Sequence, residues 1–212
     1  MSDLFDALRQ PHVQLLLRLA LGGLLVLAGV SKLADRGAFR GAVAEYELLP
    51  PSLERPFASA LPWIETVLGA LLLAGLGTTV VAALSVPLFL SFAIAVGVNL
   101  ARGRSFDCHC FGSLQRDPIG WGALLRSTLL VLAALAVAIG ASRFGALDAV
   151  LLGAGGLPPV SEVVPIVLLA LIALDVLVLL PETLSFLDTM WRARRGSAAH
   201  RHHAHANGGS AT

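Results

Sequence analysis

The sequence is poor in charged and aromatic residues. Only 14% of its 212 residues are charged and 6% are aromatic, whereas a soluble domain carries about 25% charged residues. This scarcity of charge excludes an ordinary soluble globule. The net charge of +1, without a long basic run, argues against a nucleic-acid partner, and the aromatic residues are too few for base-stacking platforms.

Cysteine is also scarce. Two cysteines exclude a scaffold held together by several disulfides, but they leave room for one redox pair or for part of a metal site. The sequence contains no Gly-rich phosphate loop, no His-Glu zinc helix and no serine nucleophile elbow. The usual signatures of nucleotide, zinc-hydrolase and serine-hydrolase chemistry are therefore missing.

Apolar residues, by contrast, are in excess. They make up 56% of the chain, and the mean hydropathy is +0.80. A globule of this size leaves too much surface to be covered by so few polar groups. The lipid bilayer is therefore expected to be part of the solvent.

The apolar residues are grouped into runs long enough to cross a bilayer, which takes about 20 helical residues. These runs cover about 13–34, 120–141 and 163–180, together with a stretch of 40 residues at 61–100 that a Gly75–Thr79 turn divides into two. The sequence thus predicts an all-α integral membrane helix bundle, with a four-helix core and a fifth, C-terminal transmembrane helix.

The predicted bundle divides the chain into four parts. Residues 1–12 form an N-terminal segment, 13–141 the four-helix membrane domain, 142–190 an apolar linker with the fifth transmembrane helix, and 191–212 a disordered Arg- and His-rich tail. The polar segment 35–60 is expected to lie at the membrane interface.

Several polar residues interrupt the apolar spans, where a charge costs about 2.5 to 3.5 kcal/mol at the bilayer centre. Counting residues places Glu65, Arg126 and Asp175 at a similar depth below one interface, and Lys32 and Asn99 open onto the same layer. We expect this layer to be functional, with Glu65 and Arg126 sharing it as a pair.

The cationic residues outside the spans predict the orientation of the bundle. Eleven Lys or Arg residues lie on the side of the loop that holds the cysteines, against two on the other side. The positive-inside rule then places that loop in the cytoplasm, in a multi-pass protein of the plasma or inner membrane. Arg18 is near the opposite face, where it is expected to reach the headgroups.

The cysteine loop is the strongest chemical motif. Cys108 and Cys110 are one residue apart, and a disulfide across one residue closes a strained ring that accepts electrons readily. His109 and the nearby Arg102 and Arg104 favour the reactive thiolate. Thiol–disulfide chemistry is the interpretation we favour, with either cysteine as nucleophile.

Two other interpretations of the loop stay open at this point. A zinc or copper site built on Cys108, His109 and Cys110 would need further ligands, such as Asp107 or the histidines of the tail. The two thiols could also be inert. The tail histidines alone are typical of low-complexity sequence.

A wider set of residues resembles one family of membrane proteins. The matching elements are Ala28–Leu33, Tyr46 with Leu48–Pro50, Leu61–Glu65 with Gly69, Asn99 with Arg102–Gly103, and Cys108–Gly112. Together they resemble the methylamine utilisation protein MauE family, within the broader DoxX-like membrane proteins. The resemblance covers about residues 13–141, and the Cys-x-Cys-Phe-Gly element is its most specific part.

The resemblance implies a redox membrane protein that assists maturation of a disulfide-rich enzyme subunit, similar to the vitamin K epoxide reductase bundle in placing a cysteine pair beside a quinone-sized cavity. Cys108 and Cys110, with His109, are the implied catalytic residues. The implied cofactor is a quinone, and Lys32, Glu65, Asn99 and Arg126 are the polar residues expected to bind it.

A thioredoxin-like protein or a disulfide-rich client subunit is the expected partner. A maturation role would place the cysteines outside the cell, whereas the charge count places them inside. Two functions remain open: a membrane thiol oxidoreductase, and a non-catalytic membrane scaffold for a maturation partner.

Overall fold

The chain is a bundle of helices. The computed structural model describes residues 6–103, 107–108, 117–118, 120–140, 144–151, 153 and 158–176. Its helices are α1 (Pro11–Ala34), α2 (Arg36–Glu45), α3 (Pro51–Ala74), α4 (Thr78–Ala101), α5 (Trp121–Gly140), α6 (Leu147–Leu151) and α7 (160–176). Two short antiparallel strands, β1 (Asp107–Cys108) and β2 (Asp117–Pro118), pair between α4 and α5.

Four helices, α1, α3, α4 and α5, are long and apolar enough to cross a membrane. They confirm the predicted four-helix core. The fifth predicted span, 163–180, extends past residue 176 and so lies partly outside the described residues. Its described part belongs to α7, which is 17 residues long and does not reach the length of the other four.

The second span begins earlier than its apolar run. Helix α3 starts at Pro51, ten residues before the predicted start at Leu61, because proline at the first helical position lacks only an N–H that has no partner there. Glu54 and Arg55 lie in these added turns. Polar residues are compatible with a helix that extends beyond the hydrocarbon layer.

The predicted turn between the second and third spans is confirmed. Gly75 ends α3 with φ +69° and Gly77 precedes α4 with φ +57°, a left-handed conformation that glycine adopts without strain. The backbone N–H of Asp148 donates to the Gly75 carbonyl at 3.5 Å. The turn therefore packs against the start of α6 and marks the end of the bundle opposite to α2.

Arg18 lies at this same end. It is only 3% exposed, and its Nη2 donates to the Gly145 carbonyl at 2.6 Å. The expectation that Arg18 reaches the lipid headgroups is therefore wrong, because backbone carbonyls of the protein accept its hydrogen bonds.

The apolar core lies between α1, α3, α4 and α5. Its buried members include Leu25, Leu72, Ala82, Phe89 and Val137. Large apolar side chains on the outer faces of the same helices are exposed, among them Ile64, Ile94 and Ile139. Apolar side chains both in the core and on the outer faces are typical of a bundle whose outer surface meets lipid.

Helix α2 packs against the bundle at the end that faces the cysteine loop. Asp35 caps it, with Oδ1 accepting from the N–H of Ala38 at 3.0 Å. The helix buries Phe39, Ala42 and Val43, which recur at the spacing of one helical face. The predicted interfacial segment thus contains an amphipathic helix that closes one side of the bundle.

Candidate functional site

The most unusual feature of the bundle is an ion pair inside it. Lys32, near the end of α1, places its Nζ 2.5 Å from Oε1 of Glu65 on α3, and each side chain is 1% exposed. Buried charges are stable only when they are paired and hydrogen-bonded, and inside a membrane they most often mark function. The pair is therefore the centre of the candidate site.

Close contact between α1 and α3 makes this pair possible. A Cβ atom at Gly29 would lie 2.7 Å from the Pro62 carbonyl, and one at Gly69 would lie 2.7 Å from the Gly22 carbonyl. Neither position tolerates a larger side chain without a shift of the helices. Because Gly29 and Pro62 each precede a member of the pair by one turn, the small residues bring Lys32 and Glu65 within reach.

Two aromatic rings complete the surroundings of the ammonium. Lys32 Nζ lies 5.4 Å from the ring centroid of Phe39 on α2 and 5.2 Å from that of Phe92 on α4. Both distances are in the range of cation–π attraction, which is worth about 2 kcal/mol at desolvated sites. The rings hold the cation in place while excluding water.

The same lysine lines an apolar cavity of about 230 Å³. The cavity lies between α1, α2, α3 and α4, and Phe57 at its edge is 39% exposed. The other lining residues are Phe39, Ala42, Val43, Tyr46, Leu48, Leu49, Leu61, Ser91, Phe92 and Ala95. Lys32 is the charged group in this lining, so the cavity combines an apolar wall with one cationic donor.

A second, much smaller cavity of about 20 Å³ lies on the other side of the pair. Glu65, Arg126 and Ser127 line it, together with Leu24, Ala28, Phe89, Phe92 and Leu130. Among the described residues, Oε2 of Glu65 has no hydrogen-bond partner. The predicted polar layer is therefore present, but the ion pair that the structure forms at Glu65 is with Lys32, and Arg126 shares the cavity.

Asn99 is fully buried but supports the site from outside it. Its Nδ2 donates to the Tyr46 carbonyl at 3.2 Å and to the Ala95 carbonyl at 3.1 Å. Tyr46 follows α2 and lines the larger cavity. Asn99 therefore attaches the cavity wall to the end of α4, two residues before the helix reaches the segment with the cysteines.

The cysteine loop begins at this same end of the bundle. The backbone of Cys108 pairs with that of Asp117 in the two-stranded sheet, so the chain segments on both sides of the loop meet. His109 and Cys110 lie outside the described residues. Within the part of the chain that the structure describes, no group of three or more His, Cys, Asp or Glu residues gathers in the manner of a metal site.

Asp175, predicted in the polar layer, lies elsewhere. It is exposed on α7 and lines a shallow groove with Leu27 of α1. The sequence interpretation also missed the aromatic contributors Phe39 and Phe92. The spacing of Phe39, Ala42 and Val43 on one face of the interfacial segment was the signal that could have identified the first of them.

Comparison with known proteins adds an independent line of information. The family model of methylamine utilisation protein MauE matches residues 10–141, which span α1 to α5. The methylamine utilization protein MauE of Paracoccus denitrificans is 38% identical over 136 residues, covering 64% of this chain and 73% of that protein.

The MauE protein of Methylorubrum extorquens is 36% identical over 132 residues, covering 62% of this chain and 71% of that protein. No solved structure matches the chain with significant similarity. Since the family model matches more than half of the chain, this multi-pass membrane protein belongs to the methylamine utilisation protein MauE family.

Proposed function

We propose that the protein is a membrane thiol–disulfide oxidoreductase, in which Cys108 and Cys110 accept electrons from a partner dithiol and pass them to a quinone. In methylamine utilisation this activity would assist disulfide formation in a partner enzyme. One observation carries the proposal: an apolar cavity with a single buried lysine lies at the end of the bundle from which the cysteine loop emerges.

The residues of the larger cavity fit a quinone ring. A flat, mostly apolar ring with carbonyl oxygens needs apolar walls and a hydrogen-bond donor, and Lys32 and its aromatic neighbours provide both. The volume of about 230 Å³ is below the roughly 300 Å³ of the smallest drug-sized sites. The cavity therefore suits one substituted ring, and the exposed edge at Phe57 lets an isoprenoid tail leave toward the lipid.

The Cys108–Cys110 dithiol is a two-electron donor. Oxidation of the dithiol breaks two S–H bonds and forms one S–S bond, which releases two protons and two electrons. A bound quinone would supply the two-electron acceptor. His109 and Arg102 favour the thiolate that starts the exchange, and the Lys32 ammonium stabilises negative charge on an oxygen atom in the cavity.

The proposal also includes the division of the chain, a fifth membrane span and the orientation of the cysteine loop. Residues 13–141 form the redox domain, 142–190 add the linker and a fifth span, and 191–212 form the tail. The apolar exposed side chains of α7, such as Leu168 and Ile172, support its placement in lipid. The charge distribution supports a cytoplasmic cysteine loop in the inner membrane.

Thiol trapping in intact cells tests the proposal. Membrane-permeant and impermeant alkylating reagents are applied to the parent and to the Cys108→Ser and Cys110→Ser variants. We expect the parent to alternate between oxidised and reduced forms as the growth redox conditions change, and each single variant to lose client disulfide formation. The pattern of labelling by the two reagents also reports the side of the membrane.

Two results would contradict the proposal. If the double serine variant supports client disulfide formation as well as the parent does, the protein acts as a scaffold. If the purified protein carries a stoichiometric metal that the double variant loses, Cys108, His109 and Cys110 are ligands. The Glu54→Gln variant, at the start of α3 and outside the cavity lining, serves as control for insertion and expression.

A further inference from the structure

The Lys32–Glu65 pair separates two cavities of different character. Lys32 lines the larger, apolar cavity, whereas Glu65 lines the smaller one on the opposite side. Phe92 contributes to both linings, so the two cavities lie on either side of one layer of side chains. The 2.5 Å contact between Nζ and Oε1 is a polar connection across this layer.

The smaller cavity has the properties of a water site. Its volume of about 20 Å³ exceeds the roughly 10–15 Å³ that one water molecule needs. Three polar side chains, those of Glu65, Arg126 and Ser127, line it. The Ser127 hydroxyl donates to the Ala123 carbonyl at 2.9 Å, which leaves its oxygen able to accept.

The Glu65 carboxylate has one oxygen atom in the ion pair and a second that is able to accept a proton. The residue is completely buried, and its Oε2 has no partner in the described part of the chain. A carboxylate that only balanced a lysine would be more stable with both oxygens satisfied. The free oxygen, together with the lining of the smaller cavity, gives a proton a point of entry to the pair.

We propose that Lys32 and Glu65 form a proton relay between the two cavities, an inference that rests on the proposed quinone reduction. Lys32 donates a proton from Nζ to an oxygen atom of the ligand in the larger cavity. Glu65 accepts the replacement proton at Oε2 through water in the smaller cavity. Rotation of the carboxyl group about the Cγ–Cδ bond then turns this O–H toward Nζ, and the proton returns to the Lys32 amine.

The relay conserves protons and charge over a turnover. Formation of the Cys108–Cys110 disulfide releases two protons and two electrons, and two O–H bonds form on the reduced ligand. Lys32 supplies the proton for the ligand oxygen atom beside it and recovers one through Glu65, so the ion pair ends in its starting state. The ligand's other oxygen atom takes the second proton that the dithiol releases. Lys32 is the group that touches the ligand, and Glu65 acts through it.

The experiment uses the full-length protein in nanodiscs, with decylubiquinone as the probe. Binding of decylubiquinone is measured at equilibrium, and oxidation of the reduced protein is followed in a single turnover as a function of pH and in heavy water. The variants are Glu65→Gln, Glu65→Asp and the double variant Lys32→Met with Glu65→Gln. Glu54→Gln, on the same helix but outside both cavities, is the matched control.

We expect Glu65→Gln to slow single-turnover oxidation about 100-fold, a usual size for loss of a proton-transfer group, while decylubiquinone binding changes less than about twofold. Glu65→Asp should restore part of the rate, and the solvent isotope effect should increase in Glu65→Gln. The double variant, which leaves no unpaired charge, should insert like the parent, bind decylubiquinone more weakly because the Lys32 donor is lost, and remain slow at saturating decylubiquinone.

A spectroscopic measurement on the parent keeps the inference testable even if the variants fold poorly. During reduction of bound decylubiquinone, the time-resolved infrared difference spectrum should show a transient carboxyl band, and this band should be absent from Glu65→Gln. If the parent oxidises normally but shows no carboxyl band, or if Glu65→Gln oxidises at the parental rate, the relay is refuted and the proposed quinone reduction stands. If the parent neither binds nor reduces decylubiquinone, the proposed function fails with it.

Discussion

A double-mutant cycle at Lys32 and Glu65 gives a quantitative test of the buried ion pair. The Lys32→Met change removes the ammonium but keeps a linear side chain of similar length. Glu65 would then be fully buried without its ion-pair partner, at a cost of about 3–5 kcal/mol. Glu65→Gln leaves the lysine charge uncompensated in the same way, so we expect a similar loss of stability.

The double variant should behave differently from the sum of the two. With both charges removed, the site contains a thioether and an amide in place of an ion pair, and such replacements are often neutral or stabilising by about 1–4 kcal/mol. Loss of the cation–π contacts with Phe39 and Phe92 offsets this gain by about 2 kcal/mol. We therefore expect the double variant to be near the stability of the parent.

Unfolding by sodium dodecyl sulfate in mixed micelles, followed by circular dichroism, measures the four free energies of unfolding. The control is Glu54→Gln, which should change stability by less than about 0.5 kcal/mol, as surface substitutions usually do. If the loss in the double variant equals the sum of the single losses, Lys32 and Glu65 do not stabilise each other, and the structural argument is refuted.

Three further variants test other contacts by the same unfolding measurement. Gly29→Ala should destabilise the bundle by about 1–3 kcal/mol, since its Cβ would contact the α3 backbone. Gly41→Ala, inside α2 with open space around it, should be neutral or stabilising by up to about 1 kcal/mol, and equal destabilisation by both would refute the close approach. Arg18→Met should cost about 1–3 kcal/mol, because carbonyls after α5 lose their donor; an unchanged midpoint would contradict this. Asn99→Leu should cost about 1–2 kcal/mol and weaken decylubiquinone binding, because Tyr46 is released; full-strength binding would disprove the positioning role.

Most of the membrane topology was predictable from the sequence because long apolar runs have few alternatives in lipid. The Gly75–Thr79 turn was predictable for a different reason: a tight hairpin needs residues that adopt a left-handed backbone, and glycine does so without strain. The start of α3 was not predictable from hydropathy, which detects the hydrocarbon-embedded part of a helix and not its polar extension.

The depth of the polar layer was also predictable by counting residues, and Glu65 and Arg126 do line one cavity. The ion-pair partner of Glu65 was not predictable, because it depends on how α1 and α3 are rotated and how closely they approach. That approach is set by Gly29 and Gly69, whose effect is visible only when the neighbouring helix is known. Asp175 has a suitable depth but faces away from the layer.

The position of the ion pair has a consequence for the energetics of the cell. Lys32 is two residues from the end of α1, about 3 Å at 1.5 Å per residue, at the end of the bundle that faces the cysteine loop. Electrons that pass from the cysteine loop to a ligand beside Lys32 cross about a tenth of a hydrocarbon core of about 30 Å. A full crossing at 100 mV is worth about 2.3 kcal/mol per charge, so this step senses only about 0.2 kcal/mol, and turnover should proceed equally well in energised and de-energised membranes.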